Sequence, residues 1–208
     1  MNIRSTFSAV ILASTALALG ACTAVPRPGP VSVTHFVEPA ALESAGQGSF
    51  FVETAPGAAM EAAELAAYKS AVAQELVELG YVESDRANAG ILAQVRADST
   101  VSSPAIRKRG PVSVGVGGST GSYGSGVGLG IGINLGGNKS QSTRDTELGV
   151  MLRDAQSGAT FWEGRAQFSV NVNSPLASSP ANATAMADAL FREFPGNNGE
   201  TTEVRVAE

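Results

Sequence analysis

Residues Thr146 to Val170, TELGVMLRDAQSGATFWEGRAQFSV, decide the fold. Leu148, Val150 and Leu152 alternate with Glu147, Gly149, Met151 and Arg153, the period of a strand with one buried face. Asp154 to Gly158 is a turn cluster ending in Gly, the residue that reaches positive φ at least cost. Phe161, Trp162, Phe168 and Val170 then belong to a second strand. The two predict a long antiparallel hairpin whose apolar face needs a cover. On a regular strand Phe161 and Trp162 point to opposite faces, so only one reaches that cover. Trp162 shares the parity of Phe168 and Val170, which makes it the candidate core anchor.

Two helical segments supply the cover. In Glu61–Leu79, Leu65, Tyr68, Val72, Leu76 and Leu79 follow steps of three and four, and Gly80 stops the helix. In Pro180–Phe194 the stripe is Ala183, Met186, Ala187, Leu190, Phe191 and Phe194, with Ser179 as N-cap and Pro195-Gly196 as the stop. Further strands are expected at Val31–Val37, Ser49–Glu53 and Ala89–Ala97, with a short last one at Thr201–Val206. Ser99, Ser102, Ser103 and Pro104 read as a polar loop, and Arg107-Lys108-Arg109 as a solvated one. The fold class is therefore α+β: one domain over residues 31–208, a mainly antiparallel sheet with both helices on one face.

Residues 111–137, PVSVGVGGSTGSYGSGVGLGIGINLGG, form a glycine-rich insertion. Val112, Val114 and Val116 share one parity, and Val127, Leu129, Ile131, Ile133 and Leu135 do the same. That reads as a β-hairpin with one aliphatic and one bare face, or else as a glycine-rich loop. It is not a phosphate cradle. Gly132–Ser140, GINLGGNKS, has Asn138 where a P-loop needs Lys directly after the last Gly.

The first residues belong to an export signal rather than to the fold. Arg4 is a short positive region, and Phe7–Leu19 is an uncharged apolar run too short to span a bilayer. Leu19-Gly20-Ala21-Cys22 follows and resembles the lipobox of bacterial lipoproteins. The resemblance implies cleavage between Ala21 and Cys22, diacylglycerol on the Cys22 sulfur and an acylated, palmitate-like amine. The alternatives are an ordinary signal peptide with a chance Cys and an uncleaved N-terminal anchor. Residues 1–21 are then the signal peptide and 22–30 a lipid-anchored, proline-rich linker. Thr23, in place of Asp, favours the outer membrane, with the domain facing the periplasm. Cys22 is the only cysteine, so lipidation leaves a domain without disulfide or thiol nucleophile. The net charge is −5, or −6 once Arg4 is removed, which disfavours nucleic acid as a partner.

In their order along the chain, several motifs resemble the bacterial envelope family catalogued as domain of unknown function 4136. They are the lipobox, ELVELGYVE at Glu75–Glu83, the strand Ile91–Val95, FWEGRA at Phe161–Ala166 and FREFP at Phe191–Pro195. The resemblance spans roughly residues 31–195 and carries no catalytic residue with it.

No catalytic, cofactor-binding or metal-binding residue is assigned from the sequence, and no cofactor is expected. His35 is the only histidine and reads as a structural strand residue; a metal site would need several more ligands. No G-x-S-x-G elbow occurs, and Glu147 with Glu163 reads as a solvated strand face before it reads as a carboxylate pair. The expected function is a membrane-anchored envelope lipoprotein with a non-catalytic binding or scaffolding domain. Its partner would be an envelope protein or a second copy, with no nucleotide. The alternatives are an envelope hydrolase with an unrecognised site, or a glycine-rich hairpin that oligomerises or touches lipid.

Overall fold

The computed structural model describes residues 28–40, 42, 48–103, 112–118, 127–133 and 142–206. Ala21, Cys22 and the expected signal peptide lie outside the described residues, as do 107–109 and the turn of the glycine-rich tract.

The central hairpin is β7 (Thr143–Asp154) and β8 (Thr160–Asn171), in register from Thr143 opposite Asn171 to Leu152 opposite Trp162. Around it lie β1 (Val31–Val37), β2 (Ser49–Thr54), β3 (Val82–Glu83), β4 (Ile91–Ser102) and β9 (Thr201–Val204). The sheet order is β3-β2-β4-β7-β8-β1-β9. The sheet is mixed. The two ladders made by β2 are parallel and the other four antiparallel, so the expectation of a mainly antiparallel sheet fails in part, at β2. The cause is the connection. After β2 the chain runs through helix α1 (Ala62–Glu78) before returning, and such a crossover sends β3 and β4 the same way as β2.

A second correction concerns β4. Composition placed Ser99–Ser102 in a loop, but the strand runs on to Ser102 because β7 offers a partner at every position, down to Ser102 opposite Thr143. The backbone of β5 (Val112–Gly118) pairs antiparallel with β6 (Val127–Ile133) as a separate two-stranded sheet.

Helix α1 ends as its sequence requires. Gly80, at φ +93°, donates to the Val77 carbonyl and Tyr81 to the Leu76 carbonyl, and Tyr81 is buried behind the cap. Helix α2 (Ser179–Phe191) starts one residue earlier than expected, with Ser178 rather than Ser179 as N-cap. A short 3-10 turn, Pro175–Ala177, delivers Ser178 in extended conformation, and Asn182 N–H makes the first helical bond to its carbonyl. Ser179 is thereby free to donate to Glu64 Oε1 of α1 at 2.7 Å. Arg144 of β7 reaches the same carboxylate at 3.3 Å, and Tyr68 donates to buried Asn182 at 2.9 Å. These bonds fix the two helices against each other and against β7.

The core lies between helices and sheet. Val31 and Val33, Phe50 and Val52, Ile91 to Ala97 on odd positions, Leu148 to Leu152 on even ones, and Trp162, Ala166, Phe168 and Val170 face α1 and α2. Phe161 corrects the parity argument. It is buried in the same cluster as Trp162, because Thr160 already pairs with Arg153 and Phe161 is the extra residue of a β-bulge. A bulge breaks the alternation at one point, so neighbours need not face opposite ways.

One charge on α1 is set against the fold. Glu75 is half-buried, and its carboxyl is pushed up to about 6 by burial, then by Glu78 and Asp188, with Arg192 opposing. The folded state therefore holds a proton that the unfolded chain, at its ordinary value of 4.5, has released. This contribution is fully present below pH 4.5 and is lost as pH rises through about 6. Glu75→Gln should accordingly raise stability by about 1 kcal/mol at pH 7, after discounting for solvent screening, and by almost nothing near pH 4.5. Urea midpoints at the two pH values check this.

Candidate functional site

The helices cover one face of the sheet, and the other face holds the charges. Cross-strand register builds it row by row. Arg96 of β4 and Arg165 of β8 both stand beside Gly149 of β7, and Gln94 and Glu163 flank Met151 in the next row. Gly149 has a reason to be glycine: a Cβ there would lie 2.7 Å from Arg96 Nε, whose side chain crosses the bare backbone. A third arginine, Arg153, arrives from the end of β7. Its Nε–H and an Nη2–H donate to the Gly158 carbonyl at 3.0 and 2.6 Å, and an Nη1–H donates to Gln94 Oε1 at 3.4 Å.

These groups enclose a concavity of about 250 Å³, lined by Arg96, Arg153, Arg165, Gln94, Glu163 and Met151, with Ala55, Pro56 and Thr160 at its margin. Arg165 is paired with Glu163 at 2.7 Å, and its guanidinium lies 5.1 Å above the exposed Phe36 ring. Arg96 has a looser partner in Glu147, at 3.6 Å. Behind the concavity, Gln94 Nε2–H donates to Glu53 Oε1 at 2.8 Å, and Arg86 holds the other oxygen at 2.9 Å. Burial raises the Glu53 carboxyl pKa, but hydrogen bonds from Gln94 and Arg86 and the charges of Arg86 and Arg153 outweigh it. The net result lies below the ordinary carboxylate value. Further along the same face Asp98, Asp145 and Glu147 gather around a second hollow, with Asp145 accepting from Ser102 and Ser169. The open face is thus polar in sign, acidic at one end and arginine-rich at the other.

The residues singled out from sequence fall elsewhere or apart. His35 is buried on the helix face, where its Nε2–H donates to the Leu190 carbonyl at 2.8 Å. That carbonyl is one of the orphan acceptors at the end of α2, so His35 caps a helix. Glu147 lies opposite Gln167 and Glu163 opposite Met151, four positions apart along the hairpin. At ~3.4 Å per residue the separation is roughly 14 Å, beyond the reach of a carboxylate dyad, and each carboxylate has its own arginine. Trp162 is fully buried, its Nε1–H donating to the Pro195 carbonyl at 2.9 Å. Gly164 leaves the room it needs, since a Cβ there would overlap the indole and lie 2.8 Å from Leu190. Among the described residues no group of three His, Cys, Asp or Glu is placed to hold a metal ion.

The order of these parts along the chain is matched by a family model described as Domain of unknown function (DUF4136), over residues 44–196. The chain belongs to the DUF4136 family. The match takes in all three arginines of the concavity, Gly149, Trp162, Gly164 and Gly196, while β1 and His35 precede it. No curated protein matches the chain. Among the solved structures with distant similarity to this DUF4136 protein are the following two. The PelC dodecamer from Paraburkholderia phytofirmans is 14% identical with a TM-score of 0.45, over 77% of this chain and 94% of that one. A PDZ domain protein from Parabacteroides distasonis is 11% identical with a TM-score of 0.48, over 85% of this chain and 39% of that one.

Proposed function

We propose that this DUF4136 protein is a lipoprotein of the bacterial envelope whose domain binds or scaffolds another envelope component through the open face of its sheet. The observation that carries the reading is that face. Among the described residues it has no helix layer, yet it is built of ordered ion pairs and two hollows rather than scattered solvated charges. The anchor rests on the lipobox at Leu19–Cys22 and the proline-rich linker that follows it. Two acyl attachments hold a protein at a membrane where one does so only marginally.

One experiment in intact cells tests both halves. A clickable fatty acid should label the protein and fail to label Cys22→Ala; label persisting on that variant sinks the anchor. A photoactivatable residue at position 167, on the open face, should give discrete crosslinked products. The same residue at position 66, on the outer side of α1, should give few. Equal crosslinking from both positions would remove the open face as the binding surface.

A further inference from the structure

We propose that the concavity around Arg153 binds an oxyanion, a phosphate or carboxylate group carried on a body of about monosaccharide size. This rests on the reading of the open face as the binding face, and names the chemistry that face selects. It is independent of the anchor.

Three observations carry it. The first is the charge left over. Arg165 and Arg96 are ion-paired with Glu163 and Glu147, but among the described residues Arg153 hydrogen-bonds only neutral acceptors, the Gly158 carbonyl and Gln94 Oε1, and the Glu53 carboxylate acts on it through charge alone. A guanidinium carries five N–H groups in a fixed plane, and the three bonds above leave two of them open to the paired oxygens of a phosphate or carboxylate. The second is preorganisation. Gln94 is turned toward Arg153 because its own N–H is held by Glu53, which Arg86 holds in turn. A fork fixed by a second layer of hydrogen bonds loses less freedom on binding than a solvated surface arginine. The third is shape. Gly149 omits a side chain between Arg96 and Arg165, and Met151, Ala55 and Pro56 give the hollow an apolar side. Its volume of about 250 Å³ lies below the range of drug-sized pockets, ~300–1,000 Å³, and suits a compact ligand.

The ligand's source separates into a soluble anionic sugar and a lipid headgroup, which share this chemistry. The full chain in neutral detergent is titrated calorimetrically with glucose 6-phosphate, glucuronate and uncharged glucose. A parallel titration uses dihexanoyl phosphatidylglycerol against dihexanoyl phosphatidylcholine. We expect saturable binding of at least one anionic probe and none of its uncharged or zwitterionic counterpart. Sugar-anion binding identifies a soluble source, and phosphatidylglycerol binding a headgroup. Arg153→Gln should weaken binding about tenfold or more, in line with the loss of a charge-assisted bidentate contact, while exposed Arg205→Gln leaves it unchanged. Because Arg153 also holds the turn at Gly158, Arg165→Gln serves as a second variant clear of that turn. It should weaken binding severalfold. No saturable binding of any anion up to about 10 mM, or unchanged affinity in both folded variants, overturns the proposal. Open-face crosslinks without anion binding would leave the binding face standing and remove this site alone.

Discussion

Trp162→Ala should cost the domain about 3–5 kcal/mol, a large part of the ~5–15 kcal/mol that holds a typical domain together. The indole stacks on Phe191 at 5.1 Å between centroids, meets Phe194 at 5.2 Å and leans on His35 at 5.6 Å. Truncation empties the junction of β8, β1 and the end of α2 in one step. It also strands the Pro195 carbonyl, which now accepts from Nε1–H. Trp162→Phe keeps one six-membered ring but loses the rest of the indole together with its N–H, so it should cost less, about 2–3 kcal/mol. Urea midpoints of the two variants, which both lose the N–H, show how much of the cost comes from the ring volume that Phe retains. A loss below about 1 kcal/mol for Trp162→Ala would contradict its place in the core.

Gly196→Ala should be nearly as damaging, at about 2–4 kcal/mol, although it adds a single methyl group. Gly196 sits at φ +74°, where an L side chain costs ~1–2 kcal/mol. Its missing Cβ is also where the His35 ring lies, with Nδ1 nearest. Overpacking of that kind adds ~1–3 kcal/mol. The two causes can be told apart in a His35→Ala background, where the backbone cost remains and the overlap is gone. The penalty of Gly196→Ala should then fall by about 1–2 kcal/mol. An equal penalty in both backgrounds would mean the ring moves aside freely.

Both predictions concern residues whose importance the sequence shows only in part. Period-2 alternation around Leu148–Leu152 and Trp162–Val170 marked the central hairpin and its buried face correctly, because alternation is a local consequence of pleating. The helix stripes were legible for the same reason, and so was the Gly80 stop. The rest failed where the cause is not local. Ser99–Ser102 is polar by composition and a strand by partnership with β7. Phe161 and Trp162 obey parity until a bulge, set by pairing with Arg153, inserts one residue. The direction of β2 follows from a helical crossover, which alternation cannot report.

The candidate site was the least legible part. Arg153 stands on the polar side of the Leu148–Leu152 alternation, while Gln94, Arg96 and Arg165 were not singled out, because alternation tells faces, not neighbours. Arg96 and Arg165 meet only because β4 and β8 both pair with β7 at Gly149. Gly149 itself reads in sequence as a weak point in a strand, whereas in the fold it is the gap that the Arg96 side chain crosses. A search for open-face arginines flanking a strand glycine would have found it.

The placing of β1 has a mechanical consequence. Residues 28–30 run straight into β1, which lies between β8 and β9 and is bonded to both, from Ser32 opposite Gln167 to Val37 opposite Trp162 on one side and from Val31 opposite Val204 on the other. A pull on the N-terminus therefore acts along the strand, and loads two ladders in shear so that their bonds must yield together. Had the chain entered through an edge strand pulled sideways, those bonds would open one at a time, like a zip. The N-terminal strand of the described chain is thus held by two ladders at once and bears tension along its length better than an edge strand would.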